Sequence, residues 1–527
     1  MSQIDVIKEM VRYEQLLRES STNHVLKGEY LIRDSQYPDM KEVLGVDAKS
    51  TITNKEVLGD KIMVEGTLNY IVFYLPKDEA LMEGPMNRIH SVIFTDKFTN
   101  YLDLNNDEHN VWFDVECEIE HIEANWMNER KVGIDGVITL NWEIYKNGEF
   151  EYVEDIEGKD DIQTLKKEEV LTGIKGEKEI DLMAKAILKV SMDKPPIDEI
   201  LKCMMTIHKK EIKVVEDKFY VGCYCKINIL YKSYETNELI CIQDDVYLSK
   251  EEELPGISSD MFSLTNLCVK NYDCMISEDD LGENRVVNVE LLIKGNIKVY
   301  DKDNVEMLKD AYSPTMNLEL KKENKSFGDI HSIASSETVV KDNIKIKNDE
   351  DRIEEIVYVS SNPFILEKHI KDDRVKIDGV IKLSIIYKIA GEELRYGILV
   401  DEIPFNTSVD VRNSKSEMDV IVRACLESID STIEGNSIAV RANLGFLIKV
   451  CYKRTVEVLV DAIETEGSPN EKKASITIYV VGEKDTLWDL AKKYNTTIEE
   501  LRKINELDMD EEVKMGGKII IPGRAMF

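Results

Sequence analysis

Apolar and polar residues alternate strictly over three long stretches of the chain, and these stretches are copies of one another. Asp60-Lys61-Ile62 leads through Val64, Gly66, Leu68, Tyr70 and Val72 to Tyr74. Asp217-Lys218-Phe219 leads through Val221, Cys223, Cys225, Ile227 and Ile229 to Tyr231, and Asp373-Arg374-Val375 through Ile377, Gly379, Ile381, Leu383 and Ile385 to Tyr387. The tyrosine falls 14 residues after the aspartate each time, and the aspartates are 157 and 156 residues apart. Period-two patterning of this length predicts a strand with one buried face, and recurrence at a fixed spacing predicts three copies of one unit. Gly66 and Gly379 fall on the buried parity, where a bulge or a close backbone crossing is expected. The second copy has Cys223 there, with Gly222 one position earlier.

A second alternating strand recurs late in each copy. Val132 to Ile144 precedes Tyr145, Val287 to Val299 precedes Tyr300, and Ile438 to Val450 precedes Cys451-Tyr452. Between the early and late strands lies an apolar segment with one cysteine per copy, Cys117, Cys268 and Cys425, read as small core residues. The fold class that follows is mainly β: three repeated antiparallel domains of about 120 residues, each a sandwich or twisted sheet, then a small βααβ domain. The boundaries predicted are a helical segment over 1–30 (apolar Val6, Met10, Tyr13 and Leu17), β domains over 31–158, 191–320 and 351–460, linkers over 159–190, 321–350 and 461–473, and the last domain over 474–527. The linkers are placed by charge, by a partly helical series at Ile180, Leu182, Met183, Ala186 and Ile187, and by Gly467-Ser468-Pro469-Asn470.

In the last domain, Thr486 to Asp489 and Thr497 to Glu500 fit the capping-box pattern and mark two helix starts. Leu487, Leu490, Ala491 and Tyr494 form one core stripe, and Ile498, Leu501, Ile504 and Asn505 the other. Strand parity turns Tyr479 and Val481 inward, leaving Ile476, Ile478 and Val480 on the opposite face, with Ile520 opposite inward Ile519 and Ile521. Trp488, about 100° around the helix from Leu487, is expected to join this exposed apolar patch.

Charge narrows the choice of partners. With 68 Lys plus Arg against 102 Asp plus Glu, the net charge of −34 argues against nucleic acid and anionic membrane. No apolar run approaches the length of a membrane span. The start of the sequence, Met1 to Met10, lacks the basic and apolar regions of a signal peptide, which leads us to expect a cytoplasmic protein. Nine cysteines without paired ligand spacing point to free thiols, with no metal and no cofactor expected. Seven histidines and no Cys-His, Ser-His-Asp or HExxH constellation argue against an enzyme. Asp160-Asp161 and Asp372-Asp373 read as solvated turn residues.

Residues 479 to 522, from Tyr479-Val480-Val481 through Asp485-Thr486-Leu487-Trp488-Asp489-Leu490-Ala491 to Gly516-Gly517-Lys518-Ile519-Ile520-Ile521-Pro522, resemble a LysM domain. The resemblance implies a sugar groove between the loops 482–486 and 507–515, so that Gly482, Asp485, Thr486, Leu507 and Met515 are the candidate carbohydrate contacts. Lys484 stands where the family usually has glycine, and its side chain would crowd that groove. Three β units followed by such a module resemble the SPOCS-domain spore proteins. That resemblance implies a non-enzymatic coat morphogenesis scaffold in the mother-cell cytoplasm at the forespore surface. Its implied partners are the coat basement-layer ATPase SpoIVA, bound through the LysM domain, and other coat proteins. On that reading Ile476, Ile478 and Trp488 are the apolar partner contacts, and Lys484 and Lys492 the rim charges. The alternative is a peptidoglycan- or cortex-binding protein using the LysM groove.

Overall fold

The computed structural model describes residues 4–33, 37–77, 89–105, 110–158, 161–234, 236–346, 352–391, 394–466, 476–508 and 512–523. The first unit opens with β1 (Asp5–Leu31), continues through a meander of β2 (Met40–Leu58), β3 (Lys61–Pro76) and β4 (His90–Asp103), and closes with a hairpin of β5 (Val111–Asn128) and β6 (Lys131–Glu157). The second repeats this order with β7 (Gln163–Lys189), the meander β8 (Ile197–Val215), β9 (Lys218–Ser233) and β10 (Leu239–Glu253), and the hairpin β11 (Phe262–Glu278) and β12 (Asn284–Tyr312). The third has β13 (Asn317–Lys345), β14 (Ile353–Lys371), β15 (Arg374–Ile389), β16 (Arg395–Asp410), β17 (Asp419–Glu434) and β18 (Ser437–Thr465).

Each unit is a sandwich of two three-stranded antiparallel sheets. One is the meander, with β3, β9 or β15 in its centre. The other has β6, β12 or β18 in its centre, flanked by the first strand and the fifth strand of the same unit. The repeated Asp-Lys/Arg strands are thus the three meander centres, and the late alternating strands are the centres of the facing sheets. Their inward residues make the core: Ile62, Val64, Leu68 and Tyr70 face Ile134, Ile138, Leu140 and Trp142 in the first unit, and the other two repeat this. One buried face per strand is what period two supplies.

Three sequence expectations are corrected here, and they concern one element. Among the described residues, the segment 1–30 is strand and not helix, and 159–190 and 321–350 are not linkers: each carries most or all of the first strand of a unit, paired along its length with the last strand. The units therefore begin at Asp5, Gln163 and Asn317. A register shift interrupts every one of these long pairings, at Leu16/Arg18 in β1, Val299/Tyr300 in β12 and Ile330/Ser332 in β13. An extra residue flips the buried parity, so inward Leu171 is followed beyond the bulge by inward Ile180, Leu182 and Leu188. A fixed-parity reading averages the two halves into no pattern. Of the expected tether 461–473, β18 extends to Thr465, and Gly467-Ser468-Pro469-Asn470 lie outside the described residues.

Beyond these bulges the strand pairs run past the sandwiches as two-stranded ribbons, and the three ribbons pack together as a hub. Phe150, Tyr152, Leu171, Met307, Phe327 and Val458 form one layer of it. Val153, Ile156, Leu308, Ala311, Leu459 and Ala462 form the next. The outer faces of the meanders also meet, through residues that include Phe73, Leu230 and Ile386 at matching positions of β3, β9 and β15. The units are therefore not beads on a string. They close around a pseudo-threefold axis and bury apolar surface that a single unit would leave exposed.

Candidate functional site

The last domain is built from β19 (Ile476–Val480), α1 (Leu487–Lys493), α2 (Ile498–Ile504) and β20 (Lys518–Pro522), with β19 and β20 paired antiparallel. Thr486 caps α1 by accepting from the Asp489 amide at 3.1 Å, and Asp489 closes the box by accepting from the Thr486 amide at 3.4 Å. Thr497 caps α2 through the Glu500 amide at 3.1 Å. Asn505 ends α2 and staples it to β20, donating to the Leu501 and Ile520 carbonyls and accepting from the Ile520 amide. Val481, Leu487, Leu490, Ala491, Leu501, Ile519 and Ile521 fill the core. Ile504, expected in the second stripe, is 38% exposed.

Strand parity placed the outer face correctly. Ile476, Ile478, Val480 and Ile520 are 62, 65, 58 and 37% exposed on the sheet face turned away from the helices. Ile478 pairs directly with Ile520, so the patch crosses both strands. Lys484 is exposed in the loop after β19.

Trp488 is different: it is buried, at 7% exposure, and the reason lies in another domain. Its indole packs edge-on against Tyr312, with ring centroids 5.0 Å apart at 76°, and its Nε1 donates to Asp310 at 2.9 Å. Lys492 Nζ donates to the other oxygen of Asp310 at 2.6 Å. The Tyr312 hydroxyl donates to the Thr496 carbonyl at 2.9 Å, and the Ile498 amide to Gln163 Oε1 at 3.4 Å. Leu165 completes the apolar contact. Burial opposes ionisation of Asp310, but the Lys492 ammonium and the Trp488 N–H outweigh it and hold the carboxyl below its ordinary value. Two expectations are thereby corrected: Trp488 is not part of the exposed patch, and Lys492 is committed to an ion pair within the chain. Asp310, Tyr312, Gln163 and Leu165 were missed because they sit more than 160 residues before the module in sequence. The available signal was Tyr312 itself, at a position where the other two copies carry Glu157 and Ile463.

The groove residues of the carbohydrate alternative are placed as follows. Asp485 accepts from the Tyr479 hydroxyl at 2.8 Å and the Gly482 amide at 2.7 Å, and those bonds, the amide first, lower its pKa. Thr486 is occupied as the α1 cap, Leu507 packs on the domain core, and Met515 is 73% exposed. Residues 509–511 of that loop are outside the described residues.

Among the described residues, no group of three or more His, Cys, Asp and Glu is placed to hold a metal ion. All nine cysteines are free thiols. Cys223 and Cys225 are core residues of the second unit, whereas Cys268, expected in a core, is exposed. Asp372 and Asp373 form the turn between β14 and β15, both with positive φ, and Asp161 accepts from Ser313 and Thr315. No helix among the described residues is long and apolar enough to cross a membrane.

The model of the family described as "SipL, SPOCS domain" matches three times, over residues 39–127, 196–277 and 352–434, each span running from the meander into the fifth strand of a unit. The LysM domain model matches residues 479–522. No curated protein and no solved structure matches the chain. SPOCS and LysM are families of non-catalytic domains, and together the matches cover more than half the sequence. The chain thus carries three SPOCS domains followed by a LysM binding module, the domain content of a sporulation coat-related protein.

Proposed function

We propose that this protein is a non-enzymatic scaffold of spore coat assembly, which works in the mother-cell cytoplasm at the forespore surface and is recruited by binding the basement-layer ATPase SpoIVA through its LysM domain. The observation that carries this reading is the outer LysM sheet face. Four aliphatic side chains, Ile476, Ile478, Val480 and Ile520, are exposed together on a two-stranded sheet whose other face is fully used by helices. A contiguous apolar patch on so small a domain suits a protein partner, whereas sugar recognition calls for a polar groove with free hydrogen-bonding groups. In the groove Asp485 is spent on Tyr479 and Gly482, and Thr486 on its helix. The closed SPOCS body supplies a rigid platform on which further coat proteins can assemble, and joining several contacts on one chain raises effective concentration.

Calorimetric titration of the full chain tests the proposal, against purified SpoIVA in one cell and soluble peptidoglycan fragments in another. Saturable heat with the ATPase and none with the glycan is expected. Heat with the glycan alone would transfer the function to wall or cortex binding.

A further inference from the structure

The three ribbon ends are equivalent by register, which makes their differences informative. Asp155, Asp310 and Asp461 sit at the same bulge, and each accepts from the amide of the next residue, at 2.9, 3.0 and 3.1 Å. The aspartate is therefore a repeated backbone device, not a docking signal. In the first and third units it pairs with a nearby lysine of the body, Lys166 at 3.0 Å and Lys8 at 3.5 Å. In the second it pairs with Lys492 of the LysM domain. Two residues further on, the three ends carry Glu157, Tyr312 and Ile463, and opposite the aspartate they carry Ile7, Leu165 and Lys321. Only the second end combines an aromatic ring with an apolar neighbour, and only it receives Trp488.

We propose that the end of the second ribbon, formed by Tyr312, Leu165, Gln163 and the spare valence of Asp310, is a dedicated socket for the LysM domain, and that Trp488 is the plug: a positioning residue that fixes the direction in which the outer face of β19 and β20 points. This rests on the reading of that face as the partner-binding surface. The LysM domain follows the third unit in sequence and yet sits on the second, so proximity alone does not explain its seat. A short connection supplies an effective concentration of the order of millimolar, enough for a small interface of one buried tryptophan, one ion pair and one tyrosine hydrogen bond to stay closed. Docking consumes the helix side of the domain and leaves Ile476, Ile478, Val480 and Ile520 outward, so a partner on that face need not displace the plug.

The test uses the full chain with its four tryptophans replaced by 5-fluorotryptophan, the Trp488 fluorine resonance being assigned by its loss in Trp488→Phe. In the parent chain that resonance should resist a solvent-borne relaxation agent as strongly as that of buried Trp142. Tyr312→Glu, which installs the residue of the first ribbon end and leaves the Asp310 bulge alone, should make it accessible, and Lys492→Ala should do so in part. Circular dichroism and melting of both variants check that the body stays folded; Lys492→Ala, which lies outside the body, keeps the test valid if Tyr312→Glu does not fold. An unchanged resonance in the folded variants would overturn the socket. Titration with SpoIVA should then show binding weakened by roughly tenfold in the undocked variants, as expected when one of two linked constraints is lost. Tighter binding on undocking would overturn the positioning role and make the contact a mask. If the parent chain does not bind the ATPase, the partner reading fails, while the fluorine measurement still decides the socket.

Discussion

Lys298 Nζ lies 3.4 Å from the centroid of the Trp112 indole, across the junction between the first and second units. Trp112 is itself stacked on Tyr145, 4.4 Å away at 8°. The second-to-third junction repeats the device with Phe262 stacked on Tyr300 and Lys449 5.6 Å from the Tyr300 ring. At the third position the stack is replaced by Asp419 opposite Cys451, and Ile421 leans on Tyr145 instead. Both lysines converge on Glu14, whose side chain is 2% exposed and also accepts from the Tyr300 hydroxyl at 3.0 Å. One carboxylate from the first unit therefore ties together cations from the other two.

Glu14→Ala should destabilise the body by about 3–5 kcal/mol, because removing one partner of a buried ionic cluster strands the rest. Lys449 would lose its only ion pair among the described residues, and Lys298 would retain only Glu177 at 3.9 Å. Replacing Glu14, Lys298 and Lys449 together by methionine should cost far less, since the desolvation of all three charges is removed with their attraction. Urea denaturation of the two variants checks the order; a triple variant weaker than Glu14→Ala would reject the argument.

Within the sandwiches, a glycine and an aromatic ring vary together between copies. Gly66 pairs across the strands with Phe98, and Gly379 with Phe405, and a Cβ on either glycine would come within 2.4 Å of that ring. In the second unit the pair is Cys223 with Leu248, so a side chain appears where the ring recedes. Leu248→Phe alone should cost about 1–3 kcal/mol by overpacking, and Cys223→Gly alone about 1 kcal/mol in strand entropy and lost contact. The double variant should be more stable than their sum by about 1 kcal/mol or more. Strict additivity in thermal denaturation of the four chains would disprove the compensation.

Acidity should stabilise the junction of the first and third units. Glu118, half-buried on β5, is pushed up to about 7 by burial and by the adjacent Glu116 carboxylate, against the pull of the Asn141 amide and the Lys382 ammonium. The unfolded carboxyl titrates near 4.3, so between the two values the folded chain holds more proton than the unfolded one. Stability therefore falls as pH rises through that window, and the penalty is complete above it. Allowing for solvent screening, the parent should lose about 1 kcal/mol relative to Glu118→Gln between pH 5.5 and 7.5. Parallel pH profiles for the two chains would contradict this.

The unbroken strands were legible in the sequence and the bulged ones were not. β3, β9 and β15 keep one parity from end to end, as do the sandwich halves of β6, β12 and β18, so period two announces them. In β1 the bulge near Leu16 splits the pattern, and Val6, Met10, Tyr13 and Leu17 then fall at helical spacing by coincidence. The closure of three units into one body was invisible for a related reason. Residues such as Phe73, Phe150 and Met307 sit on faces that an isolated sandwich would expose, and only neighbouring units explain why they are apolar. Local chemistry was read well in the LysM domain, where caps and parity held. Trp488 was misplaced because its partner, Tyr312, is a tertiary fact.

The outer LysM face makes the most direct functional prediction. Ile478 is 65% exposed and contributes nothing to the domain core, so Ile478→Asp should leave the fold and the Trp488 seat intact. If the face is the partner surface, a charge at its centre beside Ile520 removes an apolar anchor and buries an unpaired carboxylate on binding. The loss should reach about 2 kcal/mol, roughly 30-fold in affinity for SpoIVA. Lys484→Ala, in the exposed loop after β19, should act mainly on the association rate and its salt dependence. Met515→Ala, in the loop of the alternative groove, should leave the protein partner unaffected. Wild-type affinity in Ile478→Asp together with loss in Met515→Ala would move the binding site to the groove, where glycan recognition would have placed it.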